Sequence, residues 1–322
     1  MKKYFICLLS LAIISFAGCQ KTSDTFLTFE NNIAAMNPSI DNQVTQGTFF
    51  AENIAVVSEK ENMGGDEQLT SGAILLINVT NQEVVYADHI FDKMYPAGLT
   101  KLLTALVVLQ YGELSDTVTV SSNATKIADI GAKVCGYKEG DILSLESLLY
   151  SLLISSGNDA AIAIAEHVGG SEEGFVAMMN QEARRVGAVH SNFINSHGLH
   201  NDNQYTTAYD IYLICNELLK TDMFKTLINT TSYTIEYKDQ SGNLQEMTLE
   251  STNSKWRDRD NEELSSKTSI VGGLSGTTKK SGYCQVLLSE NDKNEEFISI
   301  ILNASDTQKL DSEILHLLSL TF

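Results

Sequence analysis

MYPAGLTKLLTALVVL, residues 94–109, places a proline, a glycine and a lone lysine at the head of an apolar run. Apolar residues recur at three- and four-residue steps behind Pro96, which predicts a helix starting there. Gly98 then falls in the first turn, where glycine costs roughly 0.5–1 kcal/mol against alanine. Lys101, three places on, is the one charge in the run. A helix that spends stability on a glycine and carries a single cation one turn later calls for a chemical explanation.

The first eighteen residues, MKKYFICLLSLAIISFAG, set two lysines before an apolar stretch and end in small residues. That pattern predicts a secretory signal over residues 1–18, too short and wrongly flanked for a membrane span. FAGC resembles a lipoprotein cleavage site with Cys19 as the lipidated first residue, although Phe16 is a less usual choice there. A soluble secreted form cut nearby is the alternative. Acyl chains on Cys19 would hold the protein on a bilayer. The whole chain carries a net charge of −19, and losing Lys2 and Lys3 makes it more negative still. Such a chain repels nucleic acid and anionic wall polymers, so no nucleic-acid partner is expected. Cys135, Cys215 and Cys284 lie beside apolar residues with no CxxC spacing, which favours buried thiols over disulfides or a zinc site.

Residues 19–62 are mostly polar and weakly periodic, and are expected to form a tether ahead of a domain over residues 63–322. AILLIN (73–78) and EVVYAD (83–88) read as a β-hairpin. Residues 141–186 read as helical, broken at SSGN. Ser171, followed by Glu172 and Glu173, marks a helix start. YTIEY (233–237) with LQEMTLE (244–250), and YCQVLLS (283–289) with EFISIILN (296–303), read as two more hairpins, and 306–319 as a closing amphipathic helix. VGGLSGTTKKSGYC (271–284) reads as a glycine-rich approach to a strand. The expected fold class is α+β: one antiparallel sheet flanked by helices, plus a helical subdomain from the middle of the chain.

Three short stretches carry the chemistry: PAGLTK (96–101), SSGNDAA (155–161) and the glycine-rich segment 271–284. Together with LLYSLLISSGNDAAIAIAEHVGG and MNQEARRVGAVHSNFINSHGLHNDNQYTTAYD, they make the chain resemble the serine D-alanyl-D-alanine carboxypeptidases. These are low-molecular-mass penicillin-binding proteins on the fold of the serine β-lactamases. The resemblance runs from about residue 50 to 322 and implies three motifs: Ser-x-x-Lys, Ser-x-Asn and Lys-Thr-Gly. It makes Lys101 the general base and places Ser156 and Asn158 in a complete second motif. The nucleophile position, however, holds Gly98, and the third motif reads Leu274, Ser275, Gly276 before Thr277.

Without a side-chain oxygen at residue 98 no acyl-enzyme ester forms, because the lysine has no hydroxyl proton to take. Leu274 also removes a like charge that would favour the neutral form of Lys101, whereas burial of that lysine would favour it. The resemblance assigns the oxyanion hole to the backbone N–H groups of Gly98 and Thr277, which do not depend on the side chain at 98. The reading is therefore an inactive relative that binds the D-Ala-D-Ala end of a peptidoglycan stem peptide, or a cell-surface protein, from a lipid anchor outside the membrane. A working carboxypeptidase with a rearranged site is the alternative.

Thr100 points about 200° away from residue 98 around the helix and is a poor substitute nucleophile. Lys279 and Lys280 stand too far along the strand to replace a cation at 274 and read as solvated turn residues. His190, His197 and His200 fit no helical ligand spacing, so no metal is expected. No phosphate loop or dinucleotide fingerprint occurs, so no cofactor is expected.

Overall fold

The computed structural model describes residues 53–58, 62, 64–129, 131–252 and 266–322, all within the unit Phe50–Phe322. The predicted signal, Cys19 and most of the expected tether lie outside them, as does Trp256. Residues 53–58, read as tether from sequence, lie against the domain: the Tyr212 hydroxyl accepts from the Ala55 N–H at 2.8 Å, and Ala55 and Val57 are buried.

Two strands, β1 (Ala73–Asn78) and β2 (Glu83–Asp88), form the expected first hairpin. A 3-10 turn, Ala97–Leu99, leads into α1 (Thr100–Tyr111). Short strands β3 (Thr117–Thr119) and β4 (Ile142–Ser144) precede α2 (Leu145–Ile154), α3 (Asn158–Gly169) and α4 (Glu172–Arg185). Helices α5 (Ala208–Leu218) and α6 (Asp222–Asn229) follow. The chain then runs through β5 (Ser232–Lys238), β6 (Leu244–Glu250), β7 (Thr268–Thr278), β8 (Gly282–Asn291) and β9 (Glu296–Ala304), and closes with α7 (Thr307–Ser319).

The strands form two antiparallel sheets rather than the single one expected. Five strands run in the order β2-β1-β9-β8-β7, and four in the order β3-β4-β5-β6. The second sheet arises because residues 142–144, read as helix, are extended and pair with Thr117–Thr119. Ser144 supplies the reason: its side chain accepts from the Ser147 N–H at 3.1 Å, so it caps α2 and holds the preceding residues outside the helix. The glycine-rich stretch is likewise a full strand, β7, on the edge of the five-stranded sheet.

Strand β1 shows how the sheet is filled. All six residues are buried, yet they alternate between two cores. Leu75 and Ile77 pack with the helical layer that contains α1 and α5, while Ile74 and Leu76 pack with Leu310, Ile314 and Leu317 of α7. Period-two alternation thus feeds both faces of one sheet. Fully burying each such side chain is worth about 1.5–3 kcal/mol.

α1 is buried almost all round, from Thr100 to Val108. A helix of that kind belongs to the middle of a domain rather than its surface. Its first turn is held on one side by the 195–200 loop and on the other by β7, and the close approaches explain two glycines. Gly198 has φ +87°, and a Cβ there would stand 1.9 Å from the Ala97 carbonyl. A Cβ on Gly276 would stand 2.2 Å from the Gly98 nitrogen.

Candidate functional site

The first and second candidate motifs meet at one point. Lys101, 3 % exposed, donates from Nζ to Asn158 Oδ1 at 2.7 Å and to the His197 carbonyl at 2.6 Å. Asn158 opens α3, whose start is set by the turn at Ser155–Gly157. Ser156 sits in that turn with φ 55°, a left-handed conformation that costs a non-glycine residue of order 1–3 kcal/mol. Among the described residues its buried hydroxyl has no hydrogen-bond partner. A strained residue with an orphaned polar group is the kind of feature that a binding site retains.

Burial lowers the pKa of Lys101 to about 7, and the nearby Lys133 ammonium pushes in the same direction. Residues Cys135 and Asp159 oppose this only weakly. Of the two opposing effects weighed from sequence, burial is thus the one that dominates in the structure, and Lys101 holds its proton less firmly than an exposed lysine. Sequence reasoning missed Lys133 altogether, because a polar loop residue thirty-two places from Lys101 carries no pattern that links the two.

His197 is held well below its ordinary range, at about 3, chiefly by burial and then by Lys101. The ring is therefore neutral. Its Nδ1 accepts from the Leu199 N–H at 3.1 Å, which leaves the proton on Nε2, 3.6 Å from Glu172 Oε1. The Glu172 carboxyl, at the start of α4, is pushed up by burial and by Glu166 and Glu173. Of the other histidines, His200 pairs with Asp202 at 2.9 Å and His190 lies 3.9 Å from Asp210. The three rings thus serve separate partners, and among the described residues no group of three or more His, Cys, Asp or Glu side chains is set to hold a metal.

The third candidate motif forms the opposite wall. Leu274 is 0 % exposed and belongs to the main apolar core, Ser275 and Gly276 are half-buried, and Thr277 is exposed. β7 runs very close to the turn at Gly98. A Cβ on residue 98 would stand 2.9 Å from the Ser275 carbonyl and 3.2 Å from Gly276 Cα. A side chain at 98 therefore needs the strand to give by a few tenths of an ångström. Lys279 and Lys280 are exposed in the β7–β8 turn. Thr100 is buried, donates to the Ala97 carbonyl at 2.8 Å and accepts from Gln204 at 3.2 Å, so it is committed to the fold.

A loop at residues 131–137, unremarked in the sequence, braces the second motif. The Lys133 carbonyl accepts from the Asn158 N–H at 2.9 Å. The Asp159 carboxylate accepts from the backbone N–H groups of Cys135 and Gly136 at 2.9 and 2.8 Å. Cys135 lies so close to the motif that a Cβ on Gly157 would meet its sulfur at 2.5 Å. Burial and Asp159 raise this thiol to about 12, which keeps it protonated.

This geometry has clear counterparts. A family profile described as D-alanyl-D-alanine carboxypeptidase matches residues 57–306. The chain is 28 % identical over 254 residues to D-alanyl-D-alanine carboxypeptidase DacF of Bacillus subtilis, covering 77 % of this chain and 61 % of the relative. It is 31 % identical over 242 residues to DacC of Escherichia coli, covering 72 % and 56 %. The chain thus spans about three fifths of the length of these curated relatives. The fold is shared with the Streptomyces K15 DD-transpeptidase, with a TM-score of 0.70 at 23 % identity, over 80 % of this chain and 98 % of that one. It is shared too with the carboxypeptidase DacD of Francisella tularensis, with a TM-score of 0.67 at 21 % identity, over 88 % and 76 %. With a penicillin-binding-protein fold, the ordered motif positions and a profile match over most of its length, the chain belongs to the D-alanyl-D-alanine carboxypeptidase family.

Proposed function

We propose that this protein acts outside the membrane as a catalytically inactive D-alanyl-D-alanine carboxypeptidase-like protein that binds the D-Ala-D-Ala end of peptidoglycan stem peptides. One observation carries the proposal. Gly98 stands where the family motif needs a serine, three residues before a buried Lys101 that is hydrogen-bonded to Asn158. The base and its partner are in place, and the oxygen that would attack the peptide carbonyl is missing. In subtilisin, a serine protease of another fold, loss of the nucleophile costs about six orders of magnitude in kcat.

Binding makes fewer demands than cleavage. Backbone N–H groups at 98 and 277 are the candidate donors to a peptide carbonyl, and Asn158 is a candidate contact for the peptide backbone. Ser275 and Thr277 offer hydroxyls to a terminal carboxylate. A charge-assisted contact from residue 274 is gone, which is worth about 1.5–3 kcal/mol, or roughly 10- to 100-fold in affinity. Weak, reversible binding is the expected result. The leader at 1–18 and a lipidated Cys19 would keep the domain at the cell surface. Among the described residues no helix is long and apolar enough to cross a membrane.

The test is to incubate the protein with a fluorescent penicillin and to titrate it with a D-Ala-D-Ala peptide. No covalent mass shift and a dissociation constant in the high-micromolar to millimolar range are expected. An acyl adduct on the unaltered chain would establish the alternative, a working carboxypeptidase with a rearranged site. Absence of any peptide affinity at millimolar concentration would leave a surface protein as the partner.

A further inference from the structure

Two glycines face each other across the cleft. A Cβ on Gly276 would stand 2.2 Å from the Gly98 nitrogen and 2.7 Å from its Cα, and a Cβ on Gly98 would stand 2.9 Å from the Ser275 carbonyl oxygen. Backbone thus meets backbone, closer than a side chain at 98 allows without movement. The same two stretches carry the candidate N–H donors, at residues 98 and 277, and a bound carbonyl must reach both from the gap between them. A cavity of about 160 Å³ lies instead on the other side of the turn, against Ala97, Leu199 and Thr278, and neither Gly98 nor Ser275–Thr277 lines it.

The two sides of this contact differ in how firmly they are held. The turn at Ala97–Leu99 is backed by the 195–200 loop. A Cβ on Gly198 would stand 1.9 Å from the Ala97 carbonyl, which also accepts from the Thr100 hydroxyl at 2.8 Å. Thr104 Oγ1 donates to the Ser196 carbonyl at 2.6 Å and so fixes that loop to α1. The turn therefore has no room to retreat. β7 is the last strand of its sheet and pairs within it only to β8. Its start is pinned, because a Cβ on Gly272 would stand 2.1 Å from the Ile228 carbonyl at the end of α6. A register shift between Ile270 and Gly272 interrupts the ladder at that same point. Such an irregularity bends a strand and marks where its direction can change. The movement that a Cβ at 98 asks of its neighbours is a few tenths of an ångström, within the spread of normal hydrogen-bond lengths, so the ladder to β8 survives it.

We propose that the Gly98–Gly276 contact is a closed state of the cleft, that β7 draws back when a peptide carbonyl enters between the N–H groups of Gly98 and Thr277, and that the missing Cβ at residue 98 is what lets the cleft close. The inference deepens the peptide-binding reading and takes its ligand from it. Gly98 then does more than lack an oxygen: it removes the prop that would hold the two walls apart. A ligand that binds only the open state binds more weakly in proportion to the fraction of molecules that are open. Restoring one carbon at 98, without an oxygen, should therefore strengthen binding.

Two measurements on the full chain test this. In the first, a peptide ending in D-Ala-D-Ala is titrated into the unaltered protein and into Gly98→Ala. The dissociation constant is expected to fall at least about threefold in the variant, as it would if no more than about a third of the unaltered molecules were open. An equal or weaker affinity in Gly98→Ala overturns the proposal. In the second, cross-relaxation between the Hα protons of residues 98 and 276 is recorded by NMR on protein labelled at glycine and alanine. The contact is expected to be strong in the unaltered chain, and to weaken both in Gly98→Ala and in the unaltered chain at saturating peptide. A contact of full strength in either case overturns the proposal. If Gly98→Ala fails to fold, the unaltered chain with peptide decides. If neither protein binds the peptide, the peptide-binding reading fails, and the contact in Gly98→Ala alone decides whether the cleft closes.

Discussion

The two walls of the cleft have kept different things. On the helical wall Lys101, Asn158 and His197 form a closed set of hydrogen bonds at 2.6–2.7 Å, braced from behind by the 131–137 loop and Asp159. On the strand wall the side chain of Leu274 is sealed in the core, and the backbone of Ser275–Gly276 presses on Gly98. Among the described residues, the buried polar side chains of the helical wall find partners except the Ser156 hydroxyl, whereas Leu274 of the strand wall packs in the core. Buried polar networks survive only if each member finds a partner. The helical wall thus keeps a buried polar network around Lys101, while the strand wall presents an apolar side chain at 274.

The strongest challenge to this contrast is Leu274→Lys. If the strand wall is now core, an unpaired charge there should cost about 3–5 kcal/mol, seen as a lower denaturation midpoint by chemical unfolding. Undiminished stability would mean that the residue 274 side chain still opens into a wet cleft. The next effect is smaller and tests the helical wall. The unfolded chain holds the lysine proton up to about 10.5, while folded Lys101 releases its proton near 7. Between those values the unfolded state binds more protons, so the stability of the folded state rises with pH through that window and is flat below it. The slope expected from this one group is about 1.4 kcal/mol per pH unit, and it should vanish in Lys101→Met. Identical pH profiles for the two proteins would show that Lys101 is not desolvated. The smallest effect belongs to Gly98→Ala. Helix propensity gains about 0.5–1 kcal/mol, and the 2.9 Å approach to the Ser275 carbonyl takes some of it back. A net change within about 1 kcal/mol is expected, and a loss beyond about 2 kcal/mol would show that β7 cannot yield.

Much of the architecture was legible because its patterns are local. The hairpin at 73–88 was read to the residue, since five apolar positions in a row, a polar turn and a second strand leave little choice. The start of α4 followed from Ser171, which caps the Gly174 N–H at 3.0 Å. The misreadings have equally local causes. Residues 142–144 were absorbed into a helix because apolar periodicity runs straight through them, and the capping role of Ser144 was overlooked. β7 was read as an approach because glycine weakens a strand, although here glycine lets its backbone lie against the turn at residue 98.

The amino-acid sequence by itself settled that residue 98 carries no side-chain oxygen, since that is a matter of composition and no fold can supply one. It equally determined the family, through ordered blocks of side chains along one chain. Only the tertiary structure decided the state of the groups that remain. The proton affinity of Lys101 depends on how much water the surrounding helices exclude and on a lysine thirty-two residues away in the chain. Electric fields and solvent exclusion act through space, and distance in space is what folding sets.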